Sequence, residues 1–419
     1  MPDTLDSNRI RVRMYRVGFG DCFLVSLPLS GNGGVRHILV DCGVHGKGNI
    51  GTMDSVVENI AKVTDSKLAV VIATHAHQDH ISGFDPDKFN KFEIGEVWMP
   101  WSEDPNDPKA VKLKKKHVAL AAQLNDHFAA QAFIGGRMSS SLAAASAAVA
   151  NLVANKTSLQ ALHSGFGGTA RIRFLKAGDN FQNVENVPGL STRILGPPTD
   201  EKFLAKMDPP AGHSYLRLNG NRAEAVNQLR PFSAKWDIKP SDRKMANLRL
   251  PESEKKRIQG DVASDSLDGL AFALDKAVNN TSIVALFAFR GQTLLFPGDA
   301  QYGNWAAWLE EDGSADILSS VGFLKVAHHG SVNATPKDAL EKMSTGKFAA
   351  MVSTQSKPWP SIPRVPLMDR LKQQTRNKIV RSDSLAIKNL PHAPKGPAVA
   401  KLPSGFVKGD FWYDYFIKL

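Results

Sequence analysis

Cysteine is scarce in this 419-residue chain: Cys22 and Cys42 are the only two. Both sit in apolar settings, "DCFLVSL" and "HILVDCG". That excludes a disulfide framework and a cysteine-rich zinc module, and reads as buried free thiols in a cytoplasmic protein. Long apolar runs are missing too. No stretch of 18 or more strongly apolar residues occurs, so no membrane span is expected. The nearest candidate, 139–154, is mostly Ala and Ser and reads as a helix of a soluble protein. The opening "MPDTLDSNRIRVRMYRV" lacks the apolar core of a secretion signal, and no repeat of fixed period is present. Acid is in deficit. Lys and Arg number 52 against 41 Asp and Glu, a formal charge of +11, which favours anionic partners such as nucleic acid, nucleotides or an acidic surface.

What is present is an ordinary globular composition, 42% hydrophobic and 22% charged. The length allows two or three domains, but the pattern predicts one elaborated α/β domain over 1–419. Residues 9–43 alternate as three strands broken by "GFGD" and "SGNGG". "SVVENIAKV" has helical spacing, and "KLAVVIAT" and "EIGEVWMP" read as strands. Residues 101–165 read as a helical insertion. Strands return with "ARIRFLKAG" and "TRILGPP". A second, basic and mixed insertion spans 201–270, with ten Lys or Arg against five acids between Arg222 and Arg257. "TSIVALFAFRGQTLLFPGD" predicts two strands around a hairpin turn. "ADILSSVGFLKVAHHG" and "KFAAMVSTQ" are expected to add strands, and "GDFWYDYFIKL" a last one.

Metal-type ligands follow four of these strands: Asp41 after "ILV", the cluster "THAHQDH" after "AVVIA", Asp299 after "LLFPG", and His328-His329 after "FLKVA". Strand ends are where α/β proteins assemble sites. Histidines two apart, His75 and His77, aim the same way from an extended backbone. Asp79 and His80 follow where the chain turns into a helix and can serve a neighbouring point. An imidazole–carboxylate set without thiolate suits zinc, manganese or iron. Two such ions, bridged by Asp299, would suit a phosphoryl displacement. A structural role does not explain four ligand-type residues in six positions, since each unpaired buried polar group costs about 1–3 kcal/mol.

"THAHQDH" matches the H-x-H-x-D-H signature of the metallo-β-lactamase fold hydrolases. "VGFGDCFLV", "ILVDCG", "THAHQDHISG", "NNTSIVALFAFRGQTLLFPGDA" and "LKVAHHGS", in that order, resemble the soluble hydrolase domain of ComEC-type DNA-uptake competence proteins. The resemblance covers roughly 9–100, 170–200 and 279–385. It implies an αββα sandwich with two divalent metal ions, zinc or manganese, between two sheets. His75 and His77 would hold the first ion, Asp79 and His80 the second, and Asp299 would bridge. One of His328 and His329 would complete the second ion's shell. Asp41 would fix the histidine loop. Asp79, His80 and Asp299 would carry the chemistry, with Asp79 also touching the attacking water.

Two features depart from the wider family. The usual further histidine before the bridging aspartate has only His163 ("ALHSGFGG") and His213 ("PAGHSYL") as candidates. The late Tyr-Gly-His-Pro-like segment is replaced by "KPWPSIPR", with Ile362 at the expected histidine. Gly18, Gly20 and Asp21 form either a tight connection or a substrate contact. Ser331 and Asn333 are either turn residues or phosphate contacts. Asn280 and Ser282 carry the same pair of readings.

The function expected is a metal-dependent phosphodiesterase, a nuclease, in which a metal-activated hydroxide attacks phosphorus in nucleic acid. "KLKKKH" (112–117) and the six Lys or Arg from Arg364 to Arg381, against the single acid Asp369, offer the basic contacts. Trp98 and Trp101 would pack under the first insertion. The alternatives are a small-molecule hydrolase acting on a cyclic nucleotide, a phosphocholine-type ester or a lactone, and a non-catalytic module working with a partner protein. A homodimer is open on general grounds.

Overall fold

Period-two alternation gives the first three strands two buried faces. In β1 (Arg9–Tyr15), β2 (Cys22–Pro28) and β3 (Val35–Cys42), Ile10, Val12, Met14, Phe23, Val25, Ile38 and Val40 point one way. Tyr15, Cys22, Leu24 and Leu39 point the other. Strands buried on both faces need cover on both, so a layered α/β architecture follows from this pattern. The computed structural model describes residues 5–31, 33–45, 50–133, 140–153, 155–168, 170–206, 208–210, 271, 274–355, 362–383 and 402–419.

The remaining strands are β4 (Lys67–Ile72), β5 (Glu93–Pro100), β6 (Arg171–Leu175), β7 (Asn180–Phe181), β8 (Leu190–Gly196), β9 (Val284–Phe289), β10 (Gln292–Phe296), β11 (Phe323–Lys325), β12 (Ala349–Val352), β13 (Ile379–Arg381), β14 (Phe406–Lys408) and β15 (Trp412–Lys418). One sheet has the order β14-β15-β1-β2-β3-β4-β5-β6, the other β13-β12-β11-β10-β9-β8-β7. Phe23 of the first meets Phe296 of the second at 5.9 Å between ring centroids, and Phe323 meets Tyr415 at 6.1 Å. Burying each such phenylalanine contributes roughly 1.5–3 kcal/mol. The helix Met53–Thr64 covers the outside of the first sheet with Val56, Val57 and Ile60. Tyr302–Leu309, Lys337–Lys342 and Val365–Gln374 cover the second with Trp305, Leu340 and Leu371. The layers are therefore αββα.

Register places the site. Ile38 to Val40 of β3 pair in parallel with Val70 to Ile72 of β4, so Asp41 and Thr74 emerge side by side. Leu294 and Leu295 of β10 pair in parallel with Phe323 and Leu324 of β11, which brings the segments after both strands to the same edge. The β9–β10 hairpin turns on Arg290 and Gly291, both with positive φ, as a two-residue turn between right-twisted strands requires. The aromatic C-terminal segment is β15, paired with β1. There Asp414 opposite Arg13 accepts two hydrogen bonds of 2.7 Å from its guanidinium.

Among the described residues, 101–165 hold a 3-10 turn, Trp101–Glu103, and the α-helices Pro108–Phe133, Ser140–Val153 and Lys156–His163. They share a small core with the segment leading into β9, through Leu124, Val149, Leu274 and Val278. Of the second insertion, residues 211–270 lie outside the described residues. The segment "ADILSSVG", expected to extend a strand, instead forms the helix Ser314–Ser320, whose Leu318 seals the outer face of the second sheet; only Phe323–Lys325 is strand. Trp98 packs in the core between the sheets, stacked on Phe181 at 5.3 Å, not under the insertion. Its indole points inward because β5 alternates and Glu96 accepts its N–H at 2.6 Å. Trp101 does pack there, beside Ala110 and Leu204. No helix among the described residues is long and apolar enough to cross a membrane.

Candidate metal centre

The histidine loop is held from below. Asp41 sits at the end of β3 with φ 55, a conformation that costs a non-glycine residue free energy and marks sites where geometry is over-determined. Its carboxylate accepts the Thr74 backbone N–H at 2.7 Å, the Thr74 hydroxyl at 2.8 Å, and His80 Nδ1 at 2.8 Å. Gly43, two residues on, lets the chain lie against the backbone of Asp79 and His80, where a Cβ would collide.

These bonds choose tautomers. The Thr74 hydroxyl donates to Asp41, so it accepts from His75 Nδ1 at 3.2 Å, and His75 Nε2 is left as a lone pair facing the site. His80 donates through Nδ1 to Asp41 and turns Nε2 inward. His329 donates through Nδ1 to the Ser353 carbonyl at 2.9 Å and also turns Nε2 inward. The "AHHG" turn achieves this with φ 43 at His328 and φ 53 at His329, two successive left-handed residues.

Four side chains from three separated segments converge. His80 Nε2 lies 3.1 Å from Asp299 Oδ2. His329 Nε2 lies 3.0 Å from Asp79 Oδ2 and 3.3 Å from Asp299 Oδ2. All four are buried, and their ligand atoms fall within 4.8 Å of one another. His80 Nε2 has no aligned hydrogen-bond partner despite the nearby carboxylate: the two atoms face a common point, not each other. That is the disposition of ligands to one cation. An imidazole–carboxylate quartet fits zinc, manganese or iron. The carboxylates are themselves held. Asp79 Oδ1 accepts from Asn151 Nδ2 at 2.9 Å, and Asp299 Oδ1 from Lys325 Nζ and the His328 backbone N–H, both at 3.1 Å.

Beside the quartet, His75 Nε2 and His77 Nδ1 approach to 3.1 Å. His328 stays on the cavity wall. Its Nε2 is 4.0 Å from Asp299, and its Nδ1 meets the Ser331 hydroxyl at 2.8 Å. Between the two histidines that the sequence left open, the geometry brings His329 into the quartet. Ser331 and Asn333 line the cavity but are tied into the turn. Ser331 donates to Asn333 at 2.8 Å, and Asn333 donates to Gln301 at 3.0 Å. Asn280 and Ser282 brace the loop before Asp299: Asn280 Oδ1 accepts the Gln301 N–H, and the Ser282 hydroxyl accepts the Asp299 N–H at 3.1 Å. His163 stands outside the site, 3.4 Å from Glu103; His213 lies outside the described residues.

The charges separate the two groups. Burial disfavours a proton on His80 and His329, but the carboxylates of Asp299, Asp79, Asp41 and Asp21 outweigh it, so His80 is raised well above its ordinary value and His329 to about 10. Burial would raise Asp79 and Asp299, yet the imidazoliums and Lys325 hold both well below the usual carboxylate range. Burial pushes His75 well down, and His77 and His328 to about 4. The metal-free quartet therefore keeps protons where a divalent cation would sit.

Several partners carried no signal in the sequence. Asn151 comes from the Ala-rich helix of the insertion. It clasps Asp79 twice, donating to Oδ1 and accepting the Asp79 N–H at 3.2 Å. Asn155 donates to the Ala76 carbonyl at 2.5 Å. Lys325, buried, bridges Asp21 and Asp299 and donates to the Gly298 carbonyl. Asp21 is thus a support beneath the quartet. Its neighbour Phe19 packs on the His329 ring at 4.1 Å. Asp79 and Asp299 of the quartet, with His77, open onto a cavity of about 350 Å³ lined also by Lys276, Ile362 and Arg364.

Residues 15–86 match the family model of the metallo-beta-lactamase superfamily. That stretch runs from the end of β1 through the histidine loop. The two-sheet αββα sandwich with this loop at its edge is the metallo-β-lactamase fold. Among solved structures, a crystal structure of a candidate metal-dependent hydrolase from Parabacteroides distasonis matches at 10% identity and a TM-score of 0.33, covering 89% of this chain and 93% of that one. The likeness is too slight to carry an argument. None of the curated proteins compared with the chain matches it.

Proposed function

We propose that this protein is a metal-dependent hydrolase of phosphodiesters, with nucleic acid as the substrate class. The observation that carries the hydrolase reading is the quartet: Asp79, His80, Asp299 and His329, all buried, with ligand atoms within 4.8 Å of one another. These residues would hold one divalent ion and His75 with His77 a second. Such ions, when bound, lower the pKa of water and neutralise charge that develops on phosphoryl oxygens. The chain's own residues do the rest. Asp41 holds His80 and the Thr74 loop in register. Asn151 presents Asp79 with one oxygen committed and the other facing the site. Lys325 compensates Asp299 from the side away from the cavity.

Three features favour a phosphodiester. The formal charge is +11. The cavity wall carries Lys276, paired with Asp208 at 2.7 Å, and Arg364, whose buried Nε has no hydrogen-bond partner among the described residues. The ordered motifs resemble ComEC-type hydrolase domains. A cavity of about 350 Å³ admits little more than one nucleotide, which favours the second reading, a small phosphodiester or lactone.

The test is hydrolysis with Zn²⁺ and Mn²⁺ supplied separately, comparing the wild type with a His77→Ala, Asp79→Ala double variant. Substrates are duplex DNA, single-stranded DNA, RNA and bis-p-nitrophenyl phosphate. Cleavage of polymers by the wild type alone is the expected result. Turnover of the small diester with polymers intact would move the assignment to a small-molecule phosphodiesterase. No hydrolysis of any phosphodiester by metal-loaded protein would overturn the proposal.

A further inference from the structure

The pair of histidines is short of ligands, and among the described residues no third histidine reaches it: His163 stands outside the site, at Glu103. The gap beside them is filled from an unexpected place, the helical turns over 274–279 that lead into β9. Asn279 is buried, with its Oδ1 3.0 Å from His77 Nδ1. His77 Nδ1 is also 3.1 Å from His75 Nε2. On the far side of the same ring, His77 Nε2 faces Asp275 Oδ1 at 3.6 Å. It is buried and makes no hydrogen bond. Asn279 Nδ2 points away, towards Asp275 Oδ2 at 3.3 Å and His328 Nε2 at 3.4 Å, both acceptors, which fixes the amide with its oxygen towards His77.

Neither neutral tautomer of His77 satisfies all its neighbours while Asp275 is ionised. With the proton on Nδ1, one N–H faces two acceptors, the His75 lone pair and the Asn279 oxygen, and Nε2 is a bare lone pair against a carboxyl. With the proton on Nε2, the His77 Nδ1 lone pair is the point that two other lone pairs face, His75 Nε2 at 3.1 Å and Asn279 Oδ1 at 3.0 Å. A cation at that point satisfies all three and leaves the Nε2–H for Asp275, the carboxylate–histidine–metal pattern. The spacing agrees. Ligand atoms about 2.0–2.2 Å from a shared ion stand roughly 2.8–3.5 Å apart, and the observed separations are 3.0 and 3.1 Å.

We infer that the carboxamide oxygen of Asn279 is the third protein ligand of the first metal ion, and that Asp275 orients His77 for it. The inference rests on the metal-dependent reading proposed above and adds its donor set: two imidazoles and one neutral carbonyl. Imidazole suits zinc and carbonyl oxygen suits manganese, so this mixed set accepts either ion, and Mn²⁺ serves as the probe.

The test is a Mn²⁺ titration of chelator-stripped full-length protein, counting bound ions by electron paramagnetic resonance and calorimetry. Thermal melting serves as the folding control. Wild type is expected to bind two ions. Asn279→Ala should keep one and bind the second more than about 10-fold more weakly. Asn279→Asp, which keeps an oxygen in place, should keep both. Asp275→Asn should weaken one ion only, by about 10–100-fold. Two ions bound to Asn279→Ala as tightly as to wild type would overturn the inference, as would a single ion in the wild type. If Asn279→Ala fails to fold, Asn279→Asp decides, and loss of its second ion overturns the inference. A wild type that binds no ion at all contradicts the metal-dependent reading itself, a separable outcome.

Discussion

The two halves of the metal centre lie side by side and are built on opposite principles. The quartet has two carboxylates, each with one oxygen committed, at 2.9 Å to Asn151 and 3.1 Å to Lys325, and histidines charged in the metal-free state. The His75–His77 pair has neutral imidazoles, driven below their ordinary values by burial, and a neutral amide. The quartet carries the charge that draws in a divalent cation. The pair has lone pairs already stripped of protons but little attraction. The quartet should therefore fill first and tightly, and the pair second and weakly. Exchange at the weaker half leaves the centre open to substrate oxygen.

The comparison breaks most completely at Asp299, whose carboxylate faces His80, His329 and Lys325. Asp299→Ala removes that carboxylate and leaves Lys325, His80 and His329 without it. We expect the quartet's ion to be lost or weakened by at least about 100-fold, beyond the 10–100-fold usual for supporting residues, with hydrolysis falling to background. Metal content after gel filtration reads this directly. Asp41→Asn comes next, because it disturbs the Thr74 loop and His80 together; metal affinity should fall about 10–100-fold, read by competition with a chelating dye.

A pH experiment sharpens the contrast without a mutation. Folding raises His329 from its ordinary value near 6.5 to about 10. Its contribution to stability is fully present below about 6.5 and is lost as pH rises through 10. His77 is lowered to about 4, so its contribution is present above about 6.5 and is lost as pH falls through 4. Metal-free protein should melt at lower temperature at pH 10 than at pH 7. Bound metal should abolish that alkaline loss, since it replaces the proton on His329. Paired calorimetric scans with and without chelator check it. The smallest effect is expected from Asn151→Ala, which frees one oxygen of Asp79 but leaves every ligand in place. Affinity at the quartet should drop by up to about 10-fold with the pair unaffected.

Legibility in the sequence followed how local each signal was. Three histidines and an aspartate in six positions announce themselves, and Asp41, Asp299 and the pair His328-His329 stand out because each follows an apolar strand, though the choice within the pair stays open. The strand pattern likewise shows an α/β architecture, since β1 to β3 alternate cleanly, whereas the sandwich was legible only through the resemblance. Asn151 is invisible: it lies 72 residues from Asp79, inside Ala-rich helix text with no polar context. Lys325 hides within the strand "FLK", where a lysine would be read as exposed, and is buried only because Asp21 and Asp299 come to it from both sides. Asn279 and Asp275 look like surface residues of a helix end until the insertion closes over them. The helix Ser314–Ser320 was misread as strand because its apolar residues are few and β11 is only three residues long.

The most direct test of the account uses one preparation for two readings: bound ions per chain, and hydrolysis of bis-p-nitrophenyl phosphate, before chelation, after it, and after Mn²⁺ is restored. The account predicts two ions, with activity that vanishes on chelation and returns with the metal. Hydrolysis that survives complete removal of the metal, or a stripped protein that takes up none, would contradict it.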